Sequence, residues 1–164
     1  MQTKTTYAVH AISPAVCAEL RERDDTGNLP ELVVDEGGGS PLRCCLDVSR
    51  PGERILLASY APLRRWAELT GATPGPYDEI GPVFLHQHPC NGAADAGYPD
   101  AYRDWPRVLR AYDSNGRIIG GELLAEGDDP DPVIDMLFCD ARVSMIHARA
   151  VTYGCFTFAI TRAA

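Results

Sequence analysis

The sequence predicts an α+β domain with a mostly antiparallel sheet, built from hairpins and carrying a few short helices on one face. Strand-like apolar runs outnumber helical patterns, and turn residues such as Asn-Gly separate several of them by hairpin distances. The 164 residues, 45% of them hydrophobic, can bury one core. We therefore expect a single domain over residues 1–164, with long loops at about 24–41 and 91–106.

Residues 7–69 predict a strand, a helix, a hairpin and a second, short helix. YAVHAI alternates like a strand, and in SPAVCAELRER Ser13 is a candidate N-cap with Pro14 at the first helical position. The Gly-, Asp- and Pro-rich segment that follows has no period and predicts a loop. LRCCLDVSRPGERILLASY then predicts strands 42–48 and 54–60 around a Pro51-Gly52 turn. A short helix is expected in APLRRWAEL.

The rest of the chain predicts five strands and a helix. GPVFLHQHPC predicts strand 82–88, bounded by Pro82 and Pro89. VLRAYD and RIIGGELL flank Ser-Asn-Gly, a strong hairpin signal. In DPDPVIDMLFCDARV, Asp131 is the expected N-cap and Pro132 the first residue of a helix. VSMIHARAV and CFTFAITR are expected to be two further strands, joined by a tight turn.

Charge and hydropathy exclude two classes of partner. Lys and Arg total 15 against 23 for Asp and Glu, and the resulting net charge of −8 would repel a polyphosphate backbone. No apolar run approaches the length of a membrane span, and the first residues do not form a signal peptide. We expect a cytoplasmic protein that binds neither nucleic acid nor membranes.

Six cysteines are present, but they do not form a recognised framework. They are scattered, no signal peptide precedes them, and no C-x-x-C pair marks structural zinc or a thioredoxin-like centre. Most are therefore interpreted as small buried packing residues, and no cofactor is expected. The six are Cys17, Cys44, Cys45, Cys90, Cys139 and Cys155.

Strand parity indicates which polar side chains share a face. On the predicted strand 82–88, His86 and His88 point to the same side, about 6.6 Å apart at Cα. This spacing occurs in metal sites, so a metal-dependent enzyme using the two histidines is one hypothesis. No third ligand is fixed by spacing. The alternative is one surface histidine and one hydrogen-bonded core histidine.

A thiol nucleophile is a second hypothesis. Cys90 follows a strand-ending proline, at a strand-to-loop edge where catalytic groups are often held. An extended strand would place His86 roughly 13 Å from Cys90 at Cα, so the expected base is His88 or His147. An unreactive packing thiol is the alternative. The same parity puts Cys44 and Cys45 on opposite faces.

Two arginines lie in apolar strands. Arg149 shares a face with His147, and Arg43 shares one with Cys45. An inward guanidinium needs a carboxylate, carbonyl or phosphate partner, because a buried unpaired charge is very costly. An anionic ligand, an internal salt bridge and a solvent-facing strand edge all remain open.

Four ordered segments carry a family resemblance: RCCLDVSRPGERILLASYAP, GPVFLHQHPC, VLRAYDSNGRI and IHARAVTYGCFTFAITR. Together they resemble the bacterial family of domain of unknown function 1203, from about Arg43 to Arg162. The resemblance implies a small, stand-alone cytoplasmic bacterial domain, and it implies no activity. A second histidine at position 88 is not part of the family pattern, which comprises Arg43, Cys45, the Pro51-Gly52-Glu53 turn, Tyr60, Gly81 to Phe84 with His86, Cys90, His147, Arg149, Gly154 and Cys155.

These residues predict a small enzyme or enzyme-like protein acting on a small polar or anionic metabolite. His86 or His147 would be the general acid or base, and Cys90 a nucleophile or polar wall. The expected substrate-binding residues are Arg149, Arg43, Cys45 and Tyr60. All of them should line one shared hollow. The alternatives are a non-catalytic ligand-binding or protein-interaction module and the metal-dependent enzyme.

Overall fold

The computed structural model of the chain describes residues 6–164. The α+β class and the mostly antiparallel strand pairing predicted from the sequence are confirmed. The described residues form three α helices and ten strands: β1 Tyr7–His10, α1 Pro14–Glu22, β2 Glu31–Asp35, β3 Pro41–Leu42, β4 Asp47–Val48, β5 Glu53–Tyr60, α2 Pro62–Thr70, β6 Gly81–His86, β7 Arg107–Tyr112, β8 Ile118–Leu124, α3 Pro130–Phe138, β9 Met145–Ala150 and β10 Phe156–Arg162.

The strands form two five-stranded sheets instead of the one sheet expected. The first has the order β1-β10-β9-β7-β8 and is antiparallel throughout. The second has the order β2-β5-β6-β3-β4, with β3 and β6 parallel. The two larger apolar clusters lie mainly on one sheet each, although Phe156 of β10 belongs to the cluster of the second sheet and Leu46 to that of the first. The helices do not share one face as expected: α1 packs on β5, and α3 packs on β8.

The helix starts follow the sequence signals. Ser13 caps α1, its Oγ accepting a hydrogen bond from the Val16 amide at 3.3 Å, and Pro14 is the first helical residue, as predicted. Helix α3 begins two residues earlier than expected, with Asp129 as the N-cap. The reason is that DPDP contains the same Asp-Pro signal twice, and the chain uses the first.

The predicted hairpin of strands 42–48 and 54–60 is wrong. Residues 43–46 form a turn, in which the Leu46 amide donates to the Leu42 carbonyl at 2.9 Å and Leu46 has φ 59°. The short β4 pairs with β3, whereas β5 pairs with β2 and β6. The Pro51-Gly52 turn does form, closed by a 3.0 Å hydrogen bond from the Glu53 amide to the Arg50 carbonyl.

Of the two predicted loops, one contains a strand and the other is irregular as predicted. Segment 24–41 contains β2, an edge strand paired with β5. None of the residues of β2 is buried, and its sequence, ELVVD, does not alternate apolar and polar side chains. Segment 91–106 is irregular apart from a single 3₁₀ turn at Asp100–Tyr102. None of the helices among residues 6–164 has the length and apolar character needed to cross a bilayer.

Candidate metal centre and neighbouring cleft

Four metal-ligating side chains converge at one edge of the second sheet. They are Cys44, Cys45, His86 and Cys90, and their ligand atoms all lie within 4.8 Å of one another. Cys44 is buried, and the other three are partly buried. We call this group the thiol-imidazole cluster.

Parallel pairing of β3 and β6 explains why distant residues meet. Leu42 lies opposite Phe84, and the Arg43 amide donates to the Phe84 carbonyl at 2.9 Å. Because parallel strands end at the same edge, the residues after Leu42 and the residues after Phe84 leave the sheet together. The turn at 43–46 then directs both Cys44 and Cys45 towards His86. The parity argument that separated the two cysteines fails here, because these residues are not in a strand.

Cys90 joins the cluster because β6 ends at His86 and the chain turns back. Arg21 of α1 holds this segment, donating to the carbonyl of His86 at 3.1 Å and of His88 at 3.2 Å. The extended geometry that predicted a large separation between His86 and Cys90 therefore does not apply. The His88 side chain is exposed and lies outside the cluster, so the expected His86–His88 pair does not form.

His86 connects the cluster to a carboxylate. Its Nδ1 lies 2.8 Å from Glu53 Oε1, and its Nε2 lies 3.5 Å from Cys45 Sγ. An ionised Glu53 accepts a hydrogen bond from Nδ1–H, which leaves the lone pair of Nε2 directed at Cys45. The ring is thus fixed in the tautomer that can bind a metal ion or accept a thiol proton.

A backbone amide donates to each of the three sulfur atoms, and this contact acts to lower the pKa of the thiol. The pKa of Cys44 is raised by its hydrogen bond with Cys45 and by burial, and the His86 amide, 3.3 Å from the sulfur, opposes the rise. The pKa of Cys45 is lowered, first by that hydrogen bond from Cys44 and also by the Asp47 amide. Burial raises the pKa of Cys90, against the Gly92 amide. Each sulfur therefore has an amide donor that favours its thiolate form.

A cleft of about 940 Å³ opens beside the cluster. Cys45 and His86 line it together with Glu53, so one side of the cluster faces the cleft. Its other lining residues are Asp47, Val48, Arg50, Pro51, Gly52, Asn91, Gly92, Ala93 and Ala94. This size suits a small molecule, and the lining offers both charged groups and backbone amides.

The arginine part of the predicted site lies elsewhere. Tyr60 and Arg149 line a separate cavity of about 210 Å³. Arg43 does not line this cavity, but its Nε donates at 2.8 Å to the carbonyl of Phe156, which does. Imidazole, thiol and guanidinium therefore do not line one shared hollow, because the cluster belongs to the edge of the second sheet and Arg149 to β9 of the first. Cys45 lines the cleft and is not among the residues that line the cavity of Tyr60 and Arg149.

His147 lines neither cavity. It is 1% exposed and packs between the rings of Tyr112 and Phe156, with centroids 4.7 and 4.9 Å away. Burial, reinforced by the charges of Arg149 and Arg110, lowers the pKa of His147 well below its ordinary value. This placement gives it no contact with Cys90, and its predicted role as a base has no geometric support.

Sequence reasoning missed Cys44 and Glu53 as site residues. Cys44 was separated from Cys45 by strand parity, and Glu53 was named as part of the Pro51-Gly52-Glu53 turn of the family pattern, not as a site residue. The available signal was the pair of adjacent cysteines together with Cys90 and His86, a set of four soft ligands without standard spacing.

These features define a class: an α+β domain of two antiparallel-rich sheets, with three thiols and an imidazole gathered beside a polar cleft. Residues 39–162 match the family described as "Protein of unknown function (DUF1203)", and the chain belongs to this family. The family resemblance seen in the sequence is thereby confirmed. No curated protein and no solved structure matches the chain.

Proposed function

We propose that this chain binds one transition-metal ion, with Zn²⁺ as the best fit, through Cys44, Cys45, His86 and Cys90. The metal fixes one wall of a cleft that takes a small polar molecule. The observation that carries the proposal is the convergence of four ligand atoms within 4.8 Å of one another.

The ligand types select the metal. Mg²⁺ and Ca²⁺ prefer oxygen ligands, whereas thiolates with imidazole suit zinc and other soft or borderline ions. Tetrahedral zinc, with Zn–S near 2.3 Å and Zn–N near 2.0–2.1 Å, would place the ligand atoms roughly 3.5–3.8 Å apart. The 3.5 Å between Cys45 Sγ and His86 Nε2 fits this geometry.

The surroundings also suit a metal. Glu53 orients His86 through Nδ1, the arrangement of carboxylate, histidine and zinc common in zinc proteins. Three thiolates and one divalent ion carry a net charge of −1, and Arg21 supplies a positive charge beside the segment that ends β6. Free thiols at all six cysteines suit a reducing compartment such as the cytoplasm.

Four protein ligands give the ion a structural role first, because catalytic zinc keeps an open position. The ion would tie together the 43–46 turn, the end of β6 and the loop at Cys90. Residues of that turn and loop, including Cys45 and Gly92, border the cleft. Metal binding would therefore set the shape of the small-molecule site.

Cobalt substitution tests the proposal with matched variants. The parent, purified without an affinity tag and loaded with Co²⁺, should show tetrahedral d–d bands and thiolate charge-transfer bands that saturate at one equivalent. His86→Gln should weaken cobalt binding by about tenfold or more, whereas His88→Gln should match the parent. Cys44→Ser should lose about one third of the charge-transfer intensity, and Cys139→Ser none.

Two results would overturn the metal-binding proposal. One is the absence of charge-transfer bands in a parent that circular dichroism shows to be folded. The other is equal weakening by His86→Gln and His88→Gln, which would place the metal on the histidine pair instead of the cluster.

A thiol enzyme is the second candidate, favoured by the order Cys45, His86, Glu53 along the cleft wall. In it, Cys45 would transfer its proton to His86 and attack a carbonyl carbon of the substrate, so that a C–S bond forms while the C=O π pair moves onto the oxygen. The protonated His86 would then give its proton to the leaving group as the adduct collapses to a thioester, which water hydrolyses to regenerate the thiol. Iodoacetamide should then alkylate Cys45 of metal-free protein at neutral pH faster than the exposed Cys139, and His86→Gln should slow the reaction at least about tenfold. Equal rates at the two cysteines would contradict this candidate.

A further inference from the structure

The smaller cavity lies at the seam of the two sheets and contains a partly unpaired arginine. Arg149 is 5% exposed, and its Nη1 donates to the Gly154 carbonyl at 3.0 Å and pairs with Glu79 at 3.3 Å. Its buried Nε has no hydrogen-bond partner, and Nη2 makes no hydrogen bond within residues 6–164. The edge formed by Nε and Nη2 is one with which a guanidinium can hold a carboxylate through two hydrogen bonds.

Positive charge exceeds negative charge around this cavity. Glu79 also accepts a hydrogen bond from Arg110 at 2.5 Å, so one carboxylate serves two guanidinium groups. Arg43, which is hydrogen-bonded to the lining residue Phe156, is 3% exposed, and within the described residues its guanidinium donates only to the carbonyls of Phe156 and Pro41. A buried excess of positive charge is costly unless an anion pairs with it.

The cavity walls indicate what kind of anion fits. The rings of Tyr60 and Phe156 lie 5.4 Å apart, and Pro62 and Ile80 add apolar surface. The Tyr60 hydroxyl stays protonated at neutral pH, because burial raises the pKa of Tyr60 to about 12. It therefore offers a donor and no competing charge. A dianion would be disfavoured by Glu79 and by the apolar walls.

We infer that this cavity binds a small monocarboxylate with a short apolar body, about the size of benzoate. The carboxylate pairs with the Nε–Nη2 edge of Arg149, and the body packs against Tyr60 and Phe156. The site is distinct from the thiol-imidazole cluster, and the inference does not depend on metal binding.

Ligand titrations of the full chain test this inference. Benzoate, benzyl alcohol and inorganic phosphate would be added separately while backbone and arginine side-chain NMR signals are followed. Benzoate should saturate below about 20 mM and move the signals of Tyr60, Arg149 and the Tyr153 turn. The uncharged alcohol and phosphate should bind at least about tenfold more weakly. Benzyl alcohol or phosphate binding as tightly as benzoate would overturn the inference, as would no benzoate-dependent shift.

Variants distinguish the effect of the paired N–H donors of the guanidinium from the effect of its positive charge alone. Arg149→Lys should weaken benzoate binding about tenfold, because lysine keeps the charge but loses the fork. Glu79→Gln should tighten it about threefold or more, because the competing carboxylate is gone. The exposed Arg142→Lys is the control and should match the parent. Unchanged affinity in Arg149→Lys would overturn the inference; if that variant fails to fold, unchanged or weaker affinity in Glu79→Gln would do so.

Discussion

His147 is held in β9 between two aromatic rings, and its Nδ1 has no hydrogen-bond partner among the described residues. Burial lowers its pKa, and the charges of Arg149 and Arg110 add to the effect. In the unfolded chain the imidazole takes up a proton near pH 6.5, whereas in the folded protein it stays neutral. The folded state is therefore most favoured above the unfolded pKa and loses stability as the pH falls below it, until the folded pKa is reached.

Replacing this histidine should remove that pH dependence. His147→Phe preserves the ring packing and eliminates the unpartnered nitrogen, so it should be more stable than the parent by about 1–2 kcal/mol at pH 7. Below about pH 6.5 the parent should lose up to about 1.4 kcal/mol per pH unit more than the variant. Urea denaturation between about pH 5 and 7 measures both quantities. Equal slopes for the two proteins would contradict the account of a neutral, sealed imidazole.

At the scale of elements, the β7–β8 hairpin depends on the conformation of its turn. Gly116 has φ 79°, and a Cβ built on it would lie 3.2 Å from Pro74 Cβ and 3.2 Å from Trp66 Cζ3. Gly127 has a similar φ of 81°, but a Cβ there would meet nothing within 4 Å. Comparing substitutions at the two glycines therefore separates the cost of backbone strain, present at both, from the cost of steric contact, present only at Gly116.

Alanine at these two glycines should have unequal effects. Gly127→Ala should lower the free energy of unfolding by about 1 kcal/mol, the cost of a side chain at positive φ. Gly116→Ala should lower it by about 2–3 kcal/mol, because Trp66 and Pro74 must also move. Chemical denaturation of the two variants checks the difference. A loss at Gly116 no greater than that at Gly127 would show that the hairpin tip is not packed against these residues.

The sequence predicted correctly those elements that depend on residues close together in the chain. The cap at Ser13 and the Asn-Gly hairpin depend on residues a few positions apart, so the sequence predicts them well. Strand β2 was missed because its sequence, ELVVD, does not alternate apolar and polar side chains, and at the sheet edge none of its residues is buried. The 43–46 turn was missed because its one left-handed residue is Leu46, and leucine gives no turn signal.

The same limit applies to the candidate site. His86, Cys45 and Cys90 could be nominated from residue type and position, but their mutual contact could not. It depends on the parallel pairing of β3 with β6, a non-local contact, and on two departures from strand geometry that reverse the parity argument. Arg149 and Tyr60 do share a cavity, whereas the sequence placed them with the thiols.

At the scale of the whole molecule, two sheets present two chemically different hollows. The second sheet gathers soft metal ligands beside an open, polar cleft, and the seam between the sheets holds an excess of guanidinium groups beside apolar walls. The cluster joins a turn, a strand end and a loop. A metal bound there would therefore couple the conformation of the cleft to the stability of the fold.

The metal content of the purified chain tests the central claim most directly. Native mass spectrometry and elemental analysis of untagged protein, produced with zinc in the medium, should find about one zinc per chain. The zinc content should be lower in Cys44→Ser and His86→Gln, which bind the ion more weakly, and unchanged in Cys139→Ser and His88→Gln. Less than about one-tenth of an equivalent of any transition metal in the folded parent would contradict the account.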